Sequence, residues 1–278
     1  MNSLRIRRGQ RGLSLVELMV ALAIGCFLIL GITQIYIDNR RNYNFQQQQA
    51  GNQENQRFLV TLMESYLNKV GFRRTPAQLP EYAFRRLDAT TDCEAFKPES
   101  SITRAQPDNG TVGVCLRYFP LVQGELDCTG KATPNFEGSD KAYSLKGDPV
   151  VMVLRFKPDD NGGLNGKLEC KAGNTTAELV TGIADFRMAF GVGEGLDRKI
   201  DRVVKSTDYN GTGYIMQVRF NALMASSDNQ RPDGSDSLAL TTWTRDATTA
   251  EKAWLTSRDK GQIFQIASSN VALRNVMP

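Results

Sequence analysis

Histidine is absent from this 278-residue sequence, and its absence limits the chemistry that the side chains can perform. Nucleophilic sites of the Ser-His-Asp and Cys-His types need an imidazole base, so neither type can form. The sequence also contains no glycine-rich phosphate loop and no convincing dinucleotide-binding fingerprint. Carboxylates alone can catalyse hydrolysis, but no pair of them stands out here. We therefore expect a protein that is not an enzyme and that holds no cofactor.

Four of the five cysteines predict disulfide bonds. Cys93, Cys115, Cys128 and Cys170 form an even set, which in an oxidising compartment indicates disulfide pairing. A zinc site is the competing interpretation, but the sequence has no C-x-x-C pair and no histidine to support it. Four cysteines allow three pairings, and the sequence does not choose among them. We prefer Cys93–Cys115 with Cys128–Cys170 because each bond closes a loop of moderate length, whereas Cys26 lies in an apolar segment as a packing residue.

The stretch 159–163, with the sequence Asp-Asp-Asn-Gly-Gly, offers oxygen ligands of the kind that bind calcium. It lacks the full spacing of an EF-hand loop and the bidentate glutamate that closes one. A solvated hairpin turn is the better interpretation, and we expect no metal site in this protein.

The first 37 residues join a basic start to a long apolar run. Four arginines and no acidic residue precede Leu13, and Glu17 is the only charged residue from Leu13 to Ile37. A helix over 13–37 would be roughly 37 Å long, which is enough to cross a bilayer core of about 30 Å. The positive-inside rule keeps residues 1–12 in the cytoplasm and places the rest of the chain outside. We therefore expect a single-pass membrane helix over 13–37.

Glu17 argues against the two simpler interpretations of this segment, a cleaved secretory signal and a plain membrane anchor. Small residues at Ala21, Ala23 and Gly25 imitate a signal-peptidase site only weakly. A charged residue within a membrane helix costs about 2.5–3.5 kcal/mol on insertion scales, and such residues are usually paired and functional. A plain anchor has no use for Glu17, so its presence indicates a further function of this helix.

The seven residues 11–17, Arg-Gly-Leu-Ser-Leu-Val-Glu, and the apolar run that follows them to Ile32 resemble the class III signal of type IV pilins and pseudopilins. The resemblance implies that prepilin peptidase cleaves between Gly12 and Leu13, that Leu13 is then N-methylated, and that the chain assembles into a helical filament. It also implies that Glu17 pairs with the new terminal amine, usually of a neighbouring subunit, and sets the register between subunits. Leucine at this cleavage position and the lack of early prolines in the helix are typical of a minor member of the family.

Later stretches are similar to PilW-type minor pilins and to the related J-type pseudopilins of type II secretion; they are 57–73, 215–223, 262–265 and 271–275. The resemblance implies an initiation complex with other minor pilins, contacts with the major pilin and the inner-membrane assembly platform, and a final place at the pilus tip, where the subunit supports a large adhesin. A J-type subunit at the tip of a secretion pseudopilus is the first alternative. A membrane-tethered enzyme or sugar-binding module is the second.

The charge balance gives no support for nucleic-acid binding. The net charge of +4 equals the charge of the four arginines before Gly12, so the remaining chain is close to neutral. Bulk positive charge, which is the usual electrostatic footprint of a nucleic-acid-binding protein, is therefore missing.

The pattern of apolar residues predicts an α+β protein in which one long N-terminal helix packs on an antiparallel sheet, and the resemblance implies that this is the pilin fold. Residues 38–72 read as the periplasmic half of this helix, with an apolar stripe from Phe58 to Val70 and a stop at Gly71. Two helices with a hinge at Gly51-Asn52 are the alternative. Residues 73–278 read as a globular periplasmic domain, with 74–108 and 225–260 as loops that contain short elements.

Short apolar runs in this domain predict strands over 111–119, 150–157, 184–192, 200–204, 214–223, 262–267 and 271–274. Tight turns are predicted by Asn-Gly at 109–110, 161–162, 165–166 and 210–211 and by Asp-Gly at 233–234. The resemblance implies a location in the bacterial inner membrane, with this domain in the periplasm, and afterwards at the pilus tip.

Overall fold

The computed structural model describes residues 12, 14–75, 77–107, 111–134, 147–195, 199–231 and 235–276. It contains two compact units, Met1–Gln47 and Gln48–Pro278. Helix α1 spans Leu15–Lys69 and has no break at Gly51-Asn52. The hinge that the sequence left open at this point is therefore not observed.

The second unit contains an eight-stranded sheet within the described residues, and all its strand pairs are antiparallel. The strand order is β1-β2-β3-β4-β5-β7-β8, and β6 pairs with β5 outside this path. The strands are β1 Ile102–Arg104, β2 Val112–Tyr118, β3 Val150–Lys157, β4 Gly166–Ala172, β5 Thr175–Gly193, β6 Arg202–Lys205, β7 Tyr214–Asn229 and β8 Gln262–Ala272. Three short helices accompany them: α2 Pro80–Ala83, α3 Leu238–Trp243 and α4 Thr249–Arg258. The predicted α+β class, a long helix with an antiparallel sheet, is confirmed.

The strand prediction was correct for β3, it matched β2 to within one residue at each end, and it was less complete for the other strands. Strands β1 and β4 lie where no strand was predicted, and β5 and β7 are longer than their apolar runs. The two segments predicted at 262–267 and 271–274 form the single strand β8, which ends at Ala272.

The turn prediction at Asn165-Gly166 was wrong, because Gly166 is the first residue of β4. A Cβ at this glycine would lie 2.6 Å from Phe156 Cε2 and 2.7 Å from the Ile183 carbonyl oxygen. Glycine is needed here for close strand packing and not for a turn. Gly162 and Gly211 do lie in turns with positive φ, although Gly211 precedes β7 without joining two paired strands. The predicted turns at 109–110 and 233–234 lie outside the described residues.

The main core lies between the sheet and the C-terminal part of α1. Leu59, Met63 and Leu67 recur every four residues, so they share one helix face, and all three are fully buried. Beneath them, the rings of Phe156 and Phe186 lie 5.8 Å apart, and Phe220 stacks on Phe186 at 6.2 Å. This burial fixes residues 48–69 of the helix on the sheet.

A second, smaller core lies under α3 and α4, in the region predicted to be loops with short elements. Helix α4 begins with a capping box between Thr248 and Glu251, which satisfies backbone donors at the helix start. Trp243 is buried, and its indole Nε1 donates to Asp185 Oδ2 at 2.7 Å. The helices thus cover apolar side chains of the sheet; the buried members of this core are Leu164, Ala184, Leu223, Ala225, Leu240, Trp243, Leu255 and Phe264.

Polar side chains of α1 cover the edge of β8. Asn52 Nδ2 donates to the Ile263 carbonyl oxygen at 2.7 Å, and Gln56 Nε2 donates to the Ile266 carbonyl oxygen at 2.9 Å. These two residues lie four positions apart, so they face the strand from the same side of the helix. An uncovered edge strand would be a template for pairing with another chain. The two amides occupy two carbonyl groups of this strand and so make it a poorer template.

The segment around Cys93 covers the opposite edge of the sheet. The backbone N–H of Glu94 donates to the Arg104 carbonyl oxygen of β1 at 3.1 Å, and Cys93 forms a single bridge with Ala105. The two edge strands of this path are therefore both covered: β8 by side chains of α1, and β1 by the backbone of the segment around Cys93.

The structure pairs Cys93 with Cys115 and Cys128 with Cys170, which is the pairing preferred from loop lengths. The Cα atoms lie 5.8 Å and 6.1 Å apart, within the usual range for disulfides. The first bond holds the edge-covering segment to β2. The second holds the loop after β2 to β4.

Asp92 joins the segment before Cys93 to the sheet by two ion pairs. Its carboxylate accepts from Lys171 Nζ at 2.6 Å and from Arg155 Nη1 at 3.2 Å. Burial alone would raise the pKa of Asp92, but Lys171 and Arg155 outweigh burial and lower it below the ordinary value. The charged form therefore stabilises the native state.

Asp92→Asn is expected to lower the free energy of unfolding by about 1–2 kcal/mol at pH 7, because two charge-assisted bonds are weakened. Since the pKa is lower in the folded state, this stabilisation is present above about pH 4 and is lost as the pH falls through the folded pKa. Urea unfolding of the full chain in detergent micelles, followed by circular dichroism from pH 7 to pH 3, measures the difference. Asp88→Asn is the matched control, because the Asp88–Arg86 pair is exposed and should contribute little. A difference between Asp92→Asn and the parent that does not shrink towards pH 3 would contradict this account.

Candidate functional site

The N-terminal part of α1 exposes apolar side chains on every side. Leu15 is 75% exposed and Phe27 is 76% exposed, and the large apolar residues between them and Ile37 are exposed as well. A helix that is apolar all round is stable only in hydrocarbon or among other apolar helices. Within the described residues, α1 is the one helix long and apolar enough to cross a membrane. Since none of the described residues covers this surface, it is available to hydrocarbon or to other apolar helices.

Gly12 and Glu17 lie at the beginning of this helix. Gly12 is exposed, and no heavy atom lies within 4 Å of the position that a Cβ would take. Glu17 lies in the first helical turn and is exposed, and it forms no ion pair within the part of the chain that the structure describes. Leu13, the predicted methylation position, lies outside the described residues. Access to the Gly12 backbone is thus open, and the Glu17 carboxylate is free to meet a group from another molecule.

Cys26 lies on the same helix, and it is exposed and free. Its predicted packing function would need neighbours from other helices. The small residues Ala21 and Gly25 lie four positions apart on the helix, and the space around Gly25 is open. Small residues at this spacing let helix backbones approach closely.

The described residues of the globular unit include no cluster typical of metal binding. Among the described residues, no group of three or more Cys, Asp or Glu side chains is placed to hold a metal ion. Asp159 instead supports its own turn, since its Oδ1 accepts from the Asn161 N–H at 3.0 Å and its carbonyl oxygen accepts from the Gly162 N–H at 2.9 Å. The calcium-like stretch therefore has the geometry of the predicted hairpin turn.

The strongest pKa shifts belong to buried side chains with structural contacts. Burial raises the pKa of Tyr209 to about 12, and its hydroxyl donates to the Gly213 carbonyl oxygen at 3.0 Å. Burial also raises the pKa of Tyr118 and lowers the pKa of Arg117 to about 10. Arg117 remains protonated at neutral pH. None of these three groups is paired with a nucleophile in the described residues, so they do not form a catalytic set.

Residues 7–33 match the prokaryotic N-terminal methylation motif. The matched stretch contains Gly12, Leu13 and Glu17, so the chain is type IV pilin-like at its N terminus. This motif also fits anchoring of the apolar helix in a membrane, processing by prepilin peptidase and assembly with other pilins.

None of the curated proteins matches the chain significantly. Among solved structures, a type IV-like pilin from Thermus thermophilus is similar, with 12% sequence identity and a TM-score of 0.41 over 81% of this chain and 96% of that chain.

Asn52 and Gln56 are the residues of structural importance that sequence analysis missed. They lie in a polar part of α1 that has no apolar stripe, and their partners are more than two hundred positions away, in β8. Their spacing of four was the one available signal, but it does not reveal which strand the amides meet.

Proposed function

We propose that this protein is a minor pilin of the PilW type that joins other minor pilins in the initiation complex of a type IV pilus. The observation that carries the proposal is the exposed apolar segment of α1 up to Ile37, which has Glu17 as its single carboxylate and lies largely within the matched methylation motif. In this proposal the subunit remains at the pilus tip, where it supports a large adhesin.

The helix has two successive environments in the proposed function. Before assembly, residues 13–37 cross the inner membrane once, with residues 1–12 in the cytoplasm and the globular unit in the periplasm. Prepilin peptidase cleaves after Gly12, Leu13 is N-methylated, and the assembly platform moves the helix from the membrane into the filament. The apolar surface that contacted hydrocarbon then contacts the helices of other minor pilins and of the major pilin.

Glu17 provides the register between subunits. A carboxylate in hydrocarbon is costly, and within this chain the described residues offer it no ion pair. The methylated amine at Leu13 of a neighbouring subunit would supply the opposite charge at matching depth. Because either charge is costly when buried alone, a subunit that enters out of register is rejected.

The protected sheet edges support assembly through the helix. The side-chain amides of Asn52 and Gln56 donate to carbonyl oxygens of β8, and the backbone N–H of Glu94 donates to a carbonyl oxygen of β1. Strand addition between globular units would have to displace these bonds first. Packing between the N-terminal helices of neighbouring subunits does not require these hydrogen bonds to break.

Intact mass and N-terminal sequencing of the membrane-extracted protein test the processing step. We expect a chain that begins with N-methylated Leu13 and that gains four hydrogens on reduction, because the structure contains two disulfides. A chain that keeps residues 1–12, or one that begins after the apolar run, would refute the proposed function. The non-reduced sample is the control for the disulfide count.

A further inference from the structure

An open cavity of about 540 Å³ lies between the segment around α2 and the beginning of β3. Its wall contains three arginines, Arg85, Arg86 and Arg117, and the described lining contributes one carboxylate, Asp148. Positive charge therefore exceeds negative charge along the described wall. Such a wall favours an anion.

Arg117 contributes a buried positive charge that no described carboxylate balances. The residue is 3% exposed, and its guanidinium lies 5.3 Å from the Phe84 ring centroid and 4.7 Å from that of Phe96. Its nitrogens donate to the carbonyl oxygens of Ser100, Arg85 and Lys97, all of which are neutral acceptors. Because these carbonyl acceptors carry no net charge, they do not neutralise the Arg117 guanidinium. Its electrostatic field is also screened less in a low-dielectric environment than in water. That field reaches the cavity that Arg117 lines.

Arg85 and Arg86 provide exposed donors beside the buried charge of Arg117. The Arg85 side chain is exposed and forms no ion pair with any residue that the structure describes. Among the described residues, Arg86 forms an ion pair with Asp88 alone, at 3.2 Å, and both side chains are largely exposed. An exposed pair of this kind is weak, so Arg86 can turn to a ligand at little cost.

The remaining wall is largely apolar, with Leu87, Phe119 and Val151 among the lining residues. Arginine binds carboxylates and phosphates through paired N–H groups. Inorganic phosphate has no apolar part that could contact the apolar wall, and Asp148 repels a dianion more than a monoanion. A ligand with one carboxylate and an apolar body satisfies both parts of the wall.

We propose that this cavity binds an organic carboxylate through Arg85 and Arg86, with the apolar body of the ligand against Leu87, Phe119 and Val151. The carboxylate belongs either to a free molecule or to an acidic side chain beside an aromatic residue on a partner protein. This site is separate from the N-terminal helix, and the inference does not depend on the proposed function.

Isothermal titration calorimetry of the full chain in detergent micelles tests the site with three probes: benzoate, benzamide and inorganic phosphate. We expect saturable binding of benzoate, and binding weaker by roughly tenfold or more for benzamide, which lacks the charge, and for phosphate, which lacks the apolar body. Equal affinity for benzoate and phosphate would overturn the proposal, as would the absence of saturable benzoate binding at millimolar concentration.

Two variants link the binding to the cavity. The double variant Arg85→Gln/Arg86→Gln should weaken benzoate binding by roughly tenfold or more, since charge-assisted bonds are lost. Arg245→Gln removes an exposed arginine that does not line the cavity and should leave binding unchanged. Equal effects of the two variants would overturn the assignment.

Tighter binding of a capped Asp-Phe dipeptide than of benzoate would identify a partner side chain as the source, and the reverse order would identify a free molecule.

Discussion

Glu17→Ala is expected to leave membrane insertion intact and to reduce recruitment into the filament by about a hundredfold or more. Alanine removes a charge that costs about 2.5–3.5 kcal/mol in a membrane helix, so insertion does not suffer. In the filament, however, the substitution would leave the partner amine buried without its counter-charge. Breaking a buried pair in this way costs about 3–5 kcal/mol, and each 1.4 kcal/mol is roughly a factor of ten.

Membrane fractionation and electron microscopy with gold-labelled antibody measure the two effects separately. The variant protein should remain in the inner membrane, while pili become rare and tip labelling is lost. Glu17→Gln, which keeps the shape without the charge, should behave like the alanine variant. Asp38→Ala is the matched control, because Asp38 is an exposed carboxylate further along the same helix whose described side-chain partner is Gln34. Normal piliation with Glu17→Ala would show that the register role is wrong, and reduced secretion with normal piliation would favour the J-type alternative.

The sequence predicted the parts of the fold that depend on local pattern. The apolar stripe from Leu59 to Leu67 marks the buried face of α1 because helical periodicity is a property of neighbouring residues. Strand β3 was found for the same reason, since its apolar run is compact. The methylation motif is also local, so its residues could be named without knowledge of the fold.

Strand β4 was missed because one of its faces is charged. Lys167, Glu169 and Lys171 alternate with apolar core residues, and Glu169 is itself buried. Lys167 and Lys171 are paired with charges from other segments, Glu178 and Asp92. A single sequence shows the charges and not their partners. The same limit applies to β8, whose carbonyl groups meet Asn52 and Gln56 only through the tertiary fold.

The arginine-lined cavity could not be predicted, because it depends on which backbone segment meets β2. Arg117 reaches carbonyl groups between 17 and 32 positions away along the chain. Nothing in the sequence around Arg117 distinguishes it from the exposed Arg219 on β7. The difference arises from the segment 84–100, which folds over one side chain and leaves the other in solvent.

Arg117→Met is expected to lower the free energy of unfolding by about 2–4 kcal/mol, because the carbonyl groups of Ser100 and Arg85 lose their donors. Removal of the buried charge offsets part of this loss. Arg117→Lys should be at least as destabilising, although lysine keeps the charge. An ammonium cannot reproduce the planar fork that reaches three separate carbonyl groups, so the variant would bury a cation with fewer acceptors.

Urea unfolding of the full chain in detergent micelles, followed by near-ultraviolet circular dichroism, ranks the two variants against the parent protein. Arg219→Met is the matched control, since it replaces an exposed arginine on a strand and should change the free energy of unfolding by less than about 0.5 kcal/mol. If Arg117→Lys were as stable as the parent, charge and not the geometry of the donors would hold the segment 84–100 in place. A parent-like Arg117→Met would show instead that water satisfies these carbonyl groups once the guanidinium is gone.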